Sequence, residues 1–162
     1  MTPRAATPDD FAFIRRMTGS AAYAPYLTDD DEAGLACYLA EPSSRLEIWD
    51  QDGEPAGFAL WCDVGTPSGV IELRRLGLAT IGGGKGLAFV RALTDHGFAT
   101  LGATKVWLDA SGENLRARRV YEQAGYRLEG CQRAHWWRPA LGRVVDLMLY
   151  GMLRDEWAAL PR

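Results

Sequence analysis

The sequence predicts an α/β fold: one mixed, mostly antiparallel sheet with helices on both faces. Three observations predict it. Two apolar strand-like runs flank Asp50-Gln51-Asp52-Gly53, a hairpin signal. The second half alternates strand, helix, strand, helix, strand, which is the rhythm of a parallel crossover. Between a strand and the longest helix stands Gly82-Gly83-Gly84-Lys85-Gly86.

Taken in order, Thr2 to Ala6 reads as a short strand. Thr7-Pro8-Asp9-Asp10 supplies an N-cap, a proline at N1 and two acids, so a helix starts there and carries Phe11, Ile14 and Met17 on one face. A loop with Tyr23, Pro25 and Tyr26 leads to Thr28-Asp29-Asp30-Asp31-Glu32, a second capped start, and its helix runs through Leu35, Tyr38 and Leu39 to Pro42. That acidic run is either a solvated helix N-terminus or a substrate-facing lip. Arg45 to Trp49 and Pro55 to Asp63 are the hairpin strands. Thr66-Pro67-Ser68-Gly69 turns into Val70 to Ala79, a strand in which Gly77 signals a bulge or a close backbone approach.

After the glycines, Leu87, Val90, Leu93, Phe98 and Leu101 recur at helical spacing and Gly102 ends the helix. His96 falls on its solvent side. Lys105 to Ala110 is the next strand, and Ser111 to Asn114 loops into a helix with Ala117, Val120, Tyr121 and Ala124 on one face, stopped by Gly125. Tyr126 to Trp137 and Arg143 to Leu153 are two long final strands joined across Pro139 to Gly142.

At 162 residues, with 48% hydrophobic and 24% charged residues, the chain is one globular domain with room for a core. A net charge of −3 argues against general nucleic-acid binding, which needs a basic footprint. No apolar run is long enough for a membrane span and the N-terminus is no signal peptide. The three cysteines, Cys37, Cys62 and Cys131, have no ligand spacing and read as reduced core thiols. The expectation is a cytoplasmic protein without a metal.

A helix that begins at a glycine run offers free backbone N–H groups at the positive end of its dipole, and glycine lets a ligand approach the backbone. Such a site suits phosphate or pyrophosphate. Neither common fingerprint is complete. The dinucleotide pattern would need glycine at Leu87, and a P-loop would need glycine at Ala79 and a hydroxyl at Gly86. A flexible strand–helix loop without a ligand is the bland alternative.

The ordered set of motifs resembles the GNAT superfamily of N-acetyltransferases. The opening PRAATPDD is similar to that family's first strand and helix start. Leu76-Gly77-Leu78 leading to Gly82-Gly83-Gly84-Lys85-Gly86 resembles motif A, whose loop receives the pyrophosphate of coenzyme A. Ile81 departs from it, standing where the motif has Arg or Gln, and the link to the glycines is shorter than usual. Trp107-Leu108-Asp109 and Asn114 to Tyr126 resemble motif B. Glu129-Gly130, Val145 to Tyr150 and Glu156-Trp157 look like the tail of the branch that includes ribosomal-protein N-terminal acetyltransferases.

The resemblance implies a single N-acetyltransferase domain over 1–162, built on a mixed sheet with a central splayed parallel strand pair. It implies acetyl-CoA as co-substrate and direct transfer to a primary amine of a small molecule or a protein N-terminus. The backbone of Leu76 and Leu78 would pair with the pantetheine arm. Gly82, Gly83, Gly84, Lys85 and Gly86 would take the pyrophosphate, and an N–H near Leu78 would polarise the thioester. Tyr121 stands where the family often has its general acid; it lies about 10 Å along the helix from Asn114, on the same face. Its hydroxyl would protonate the thiolate, or it is a core tyrosine with a wet tip. Asn114 would hold the pantetheine amide, cap its helix, or do both. Glu72 is either a general base acting through water or a carboxylate paired with Arg74 or Arg75. Glu129, Asp146, His135, Trp136 and Trp137 are further candidates for the amine pocket. The reading is an acetyl-CoA-dependent N-acetyltransferase. The rival is a non-catalytic acyl-CoA sensor or scaffold on the same fold, and a nucleotide-phosphate enzyme of another fold is a third. The last strands could pair across a homodimer.

Overall fold

The computed structural model describes residues 1–161. Seven strands form one sheet: β1 (Thr2–Ala5), β2 (Arg45–Gln51), β3 (Glu54–Cys62), β4 (Val70–Leu78), β5 (Lys105–Ser111), β6 (Arg127–Arg138) and β7 (Arg143–Leu153). Their order is β1-β2-β3-β4-β5-β7-β6. Every neighbouring pair is antiparallel except β4 with β5. Helices α1 (Phe11–Thr18) and α2 (Glu32–Ala40) cover one face; α3 (Lys85–Ala99), α4 (Leu115–Ala124) and a short α5 (Arg154–Ala158) cover the other. This is the architecture expected from the sequence.

Strict alternation along β2 and β3 builds both cores. Leu46, Ile48, Phe58 and Leu60 pack under α1 and α2 with Phe11, Ile14, Met17 and Leu35. Trp49, Ala59 and Trp61 point the other way, into a larger cluster with Phe89, Val90, Leu93 and Phe98 of α3 and Tyr121 and Ala124 of α4. Period-2 strands between period-3.6 helices place all of these residues in one core or the other.

Several local expectations shift. The first helix opens with a 3-10 turn, Pro8–Asp10, before α1. The first hairpin is tighter than four residues: Asp52 and Gly53, at φ 55° and 85°, make a two-residue turn that matches strand twist. The β4 bulge is not at Gly77. Leu60 pairs with Arg75 and Trp61 with Leu73, so Arg74 is the extra residue. Gly77 instead marks a close approach, since a Cβ there would lie 2.5 Å from Met17 Sδ and 2.7 Å from Phe58 Cε1. His96 is not on the surface. It wedges under α3 with its Nε2 2.9 Å from Glu47 Oε1 and its ring edge-on to Trp49, because Glu47 faces the same core and needs a partner. Of the free thiols only Cys62 is buried, whereas Cys37 and Cys131 are exposed. Among the described residues no helix is long and apolar enough to cross a membrane, and no cluster of three His, Cys, Asp or Glu side chains could hold a metal.

Candidate active site

β4 and β5 stay paired for only three residues, Val70–Lys105, Ile71–Val106 and Glu72–Trp107. Beyond them the strands part, and the Arg74 bulge adds twist to β4 at that point. β5 remains anchored to β7 along its whole length, so the opening falls between β4 and β5. The result is a cavity of about 530 Å³, a size ordinary for a ligand site. Its walls are β4, the end of β5, the loop holding Tyr23 to Thr28, the glycine run and the facing sides of α3 and α4.

At one end lie the glycines. Gly82, Gly83 and Gly84 have φ of 106°, 59° and 76°. A side chain at any of them would meet open space, so the left-handed backbone, and not packing, calls for glycine there. Within the described residues the backbone N–H groups of Gly83, Gly84 and Gly86 have no hydrogen-bond partner, whereas Lys85 N–H donates to Gly82 O at 3.2 Å and Leu87 N–H to Gly84 O at 3.1 Å. Free donors at the head of a fifteen-residue helix attract an anion. Gly82, Gly84 and Gly86 line the cavity, Ile81 and Arg116 share its rim, and Gly83 and Lys85 lie just outside it. Asn114 caps α4 by accepting from Ala117 N–H at 3.1 Å and also faces the cavity, so its amide N–H₂ stays available.

In the middle runs the free edge of β4. Ala79 N–H bonds to Ala56 O on β3, so Gly77 also faces β3 while the backbone groups of Leu76 and Leu78 face the opening. Leu78 is occupied. The Tyr23 hydroxyl accepts from its N–H at 2.8 Å and donates to its carbonyl at 3.0 Å. Tyr121 is buried against Tyr126 and Tyr150 and its hydroxyl faces the cavity with no protein partner among the described residues. Burial, reinforced by the charge of Asp109, pushes that hydroxyl far above the ordinary tyrosine range.

At the other end the charges gather. Glu72 is buried, and its Oε2 accepts from Arg74 Nε at 2.9 Å and Nη2 at 2.5 Å. Asp109, unassigned by sequence reasoning, projects from β5 into the same space. Burial, then the Glu72 charge, raises its carboxyl to about 6. His135 and Trp136 line this end, and the exposed Trp137 does not. Glu129 is drawn to Lys105 at 2.7 Å, and Asp146 accepts from Ala134 N–H at 2.7 Å in the β6 bulge; neither reaches the cavity. The signal for Asp109 is a charge directly after the apolar run Val106-Trp107-Leu108. No sequence signal pointed to Tyr23.

The family model described as Acetyltransferase (GNAT) family matches residues 11–126. An aminoglycoside N(6')-acetyltransferase type 1 of Klebsiella pneumoniae is 35% identical over 118 residues, covering 65% of this chain and 59% of that one. The match thus spans under two thirds of that relative's length. An uncharacterised N-acetyltransferase of Mycobacterium bovis is 30% identical over 132 residues, covering 79% of this chain and 74% of that one. Among solved structures, a spermidine N-acetyltransferase from Vibrio cholerae in complex with CoA and spermine superposes with a TM-score of 0.83 at 19% identity, covering 97% of each chain. AAC(6')-Ib in complex with paromomycin and acetyl-CoA gives 0.78 at 24% identity, covering 99% of this chain and 97% of that one. The extent of the family match and the splayed strand pair lead to one conclusion: this chain belongs to the acetyltransferase (GNAT) family.

Proposed function

We propose that residues 1–162 work as a single domain that transfers an acetyl group from acetyl-CoA directly to a primary amine. The observation that carries this is the cavity itself: unpartnered N–H donors at one end, a free strand edge in the middle and an unpartnered carboxylate at the other. Acetyl-CoA supplies an activated thioester when bound. The glycine run fits its pyrophosphate through the N–H groups of Gly83, Gly84 and Gly86, with Gly82 shaping the turn and Lys85 and Arg116 adding positive charge. The edge at Leu76 fits an amide of an added strand; the edge at Leu78 fits one once the Tyr23 hydroxyl has moved. Asn114 offers its amide to the same arm.

The chemistry balances on two side chains. Asp109 takes the proton that the ammonium must lose, directly or through one water. The amine nitrogen bonds to the acetyl carbon, the carbon–sulfur bond breaks, and the Tyr121 hydroxyl gives its proton to the sulfur. A phenol held protonated by burial is suited to donate there, and it is recharged from the amine's proton by way of solvent. A backbone N–H at the splay polarises the thioester carbonyl. Burial first, and then the negative charge of Arg74-bound Glu72, raises Asp109 toward neutral pH. An acyl-CoA sensor would need the same glycines but not an unpartnered acid and carboxylate facing one cavity.

The tail's likeness to ribosomal-protein N-terminal acetyltransferases is a further reading of the acceptor, a protein N-terminus. The relatives above carry the names of aminoglycoside and spermidine acetyltransferases. Pairing of two copies through the edge strand β6 is a reading of the same rank, as is a place in the cytoplasm. The test is thermal unfolding with and without acetyl-CoA. Ligand at about 100 times its dissociation constant adds roughly 2.7 kcal/mol, on the order of 5–10 °C for a domain of this size. Equal shifts with ATP or NAD, or no shift, would reject the reading.

A further inference from the structure

The acceptor end of the cavity is not an acidic pocket. Two carboxylates, Glu72 and Asp109, line it and a third, Asp30, stands behind Arg75; two of the three are already matched. Glu72 is bound by Arg74 through two N–H groups. Asp30 is ion-paired with Arg75, whose side chain is 13% exposed and whose guanidinium also lies over the Tyr38 ring at 5.5 Å. Only Asp109 has no hydrogen bond or ion pair among the described residues, although it faces the cavity.

A third guanidinium shifts the balance further. Arg138 is 4% exposed and has no carboxylate partner among the described residues. Its Nε donates to Pro25 O at 3.0 Å and its Nη2 to Ala24 O and Leu27 O at 2.6 and 2.5 Å. It also stacks 3.9 Å over the ring of Trp136, which lines the cavity. Carbonyl dipoles satisfy its donors but do not cancel its charge. Arg74 and Arg75 thus line the acceptor end with Glu72 and Asp109, Arg138 and Asp30 stand behind its wall, and Asp109 is the one carboxylate of these left unpaired for a ligand. Between them the walls are Leu27, Tyr26, Trp136 and Leu147.

We propose that the acceptor is a small primary amine bearing one ammonium group on an apolar body, its nitrogen seated at Asp109, and that polycationic amines are poor acceptors. The proposal rests on the acetyl-transfer reading above. One ammonium finds one carboxylate. A second would leave water for a region where Arg74, Arg75 and Arg138 already supply the positive charge, with no carboxylate of its own, and that cost reduces binding by at least about tenfold. The apolar walls accept an aromatic or alkyl body and supply no second unpaired carboxylate.

The experiment is steady-state thiol release at saturating acetyl-CoA with phenethylamine, tryptamine and hexylamine against spermidine and kanamycin. At least one monoamine should exceed both polycations in kcat/KM by about tenfold or more. Arg75→Gln, which removes one guanidinium from the acceptor end and frees the Asp30 carboxylate beside it, should narrow the kcat/KM ratio of the best monoamine to spermidine by about tenfold. Spermidine or kanamycin equal to or better than the monoamines overturns the proposal, and so does acetyl-CoA binding without acetylation of any monoamine. Absence of the acetyl-CoA thermal shift is a separate outcome: it rejects acetyl transfer itself, and the acceptor proposal with it.

Discussion

The two ends of the cavity are built from different parts of the polypeptide. The glycine end works through backbone: three left-handed glycines, three unpartnered N–H groups and the head of α3, all within five consecutive residues. The acceptor end works through side chains brought from the Tyr23–Thr28 loop, β4, β5 and β6. A backbone site tolerates almost any sequence that keeps its dihedral angles. A side-chain site depends on the balance of every charge near it, so one substitution on any of four segments retunes it. The first kind suits a ligand part shared by a whole family, the second a ligand part that differs between members.

The largest expected effect lies where the two ends meet. Tyr121→Phe keeps the ring contacts with Tyr126 and Tyr150 and removes only the proton donor. kcat should fall by roughly 10²–10³-fold while the thermal shift with acetyl-CoA is unchanged. A fall of less than about tenfold would make Tyr121 a packing residue and give the proton to solvent.

Asp109→Asn comes next and tests the acceptor end alone. With the carboxyl raised to about 6, kcat/KM of the wild type should fall as pH drops through that value. The variant should lose that acid limb along with roughly 10–100-fold in kcat/KM. Stability should move the other way. A carboxyl whose folded value is raised binds its proton more tightly when folded, so that contribution is present at low pH and lost as pH rises through about 6. Near pH 7.5 the asparagine variant should therefore melt higher than the wild type, by up to about 2 kcal/mol in stability. A melting point that does not rise would show that Asp109 is better solvated than its position in the cavity implies.

The glycine end should respond more mildly and unevenly. Gly84→Ala forces an L-residue to φ 76°, at a cost of about 1–2 kcal/mol, and acetyl-CoA affinity should drop about tenfold by calorimetry. Gly86→Ala puts a Cβ 3.8 Å from Val120 Cγ2, an ordinary contact, in the first turn of α3, and should leave affinity within about twofold. Equal losses at both positions would mean that close ligand approach, and not backbone angle, sets the requirement.

Legibility in the sequence follows the same division. The strand and helix order was readable because alternation in β2 and β3 and helical spacing in α3 and α4 are local. The glycine loop and the Asn114 cap were readable for the same reason. Of the two readings that Gly77 offers, a bulge or a close approach, the close approach holds; the bulge lies at Arg74, because a glycine is visible in a sequence and a register shift is not. His96 reads as solvent-facing because its partner, Glu47, is far away in the chain and meets it only where α3 packs on β2. Asp109 carries no role in the sequence alone, since its significance comes from having no partner, a property of the fold. Arg138 went unremarked for the converse reason: its partners are three carbonyls of a loop more than a hundred residues earlier.

The smallest expected effect concerns the border between the ends. The Tyr23 hydroxyl holds both backbone groups of Leu78, at 2.8 and 3.0 Å, and these are the groups an added strand in the splay needs. Two hydrogen bonds must be exchanged when that strand arrives, each worth about 1 kcal/mol net. Part of that cost returns as new bonds to the ligand, so only the difference is felt. Tyr23→Phe leaves the ring in the acceptor loop but frees Leu78, and acetyl-CoA affinity should rise by about three- to fivefold by calorimetry. Because the Tyr23 loop also carries Tyr26 and Leu27, the same variant should change KM for the amine by less than twofold if the hydroxyl serves only as a stand-in for the strand. A fall in acetyl-CoA affinity would reverse the assignment: the hydroxyl would then be a strut that holds Leu78 in place for the ligand, and the boundary between a backbone end and a side-chain end would lie two residues back along β4, at Leu76.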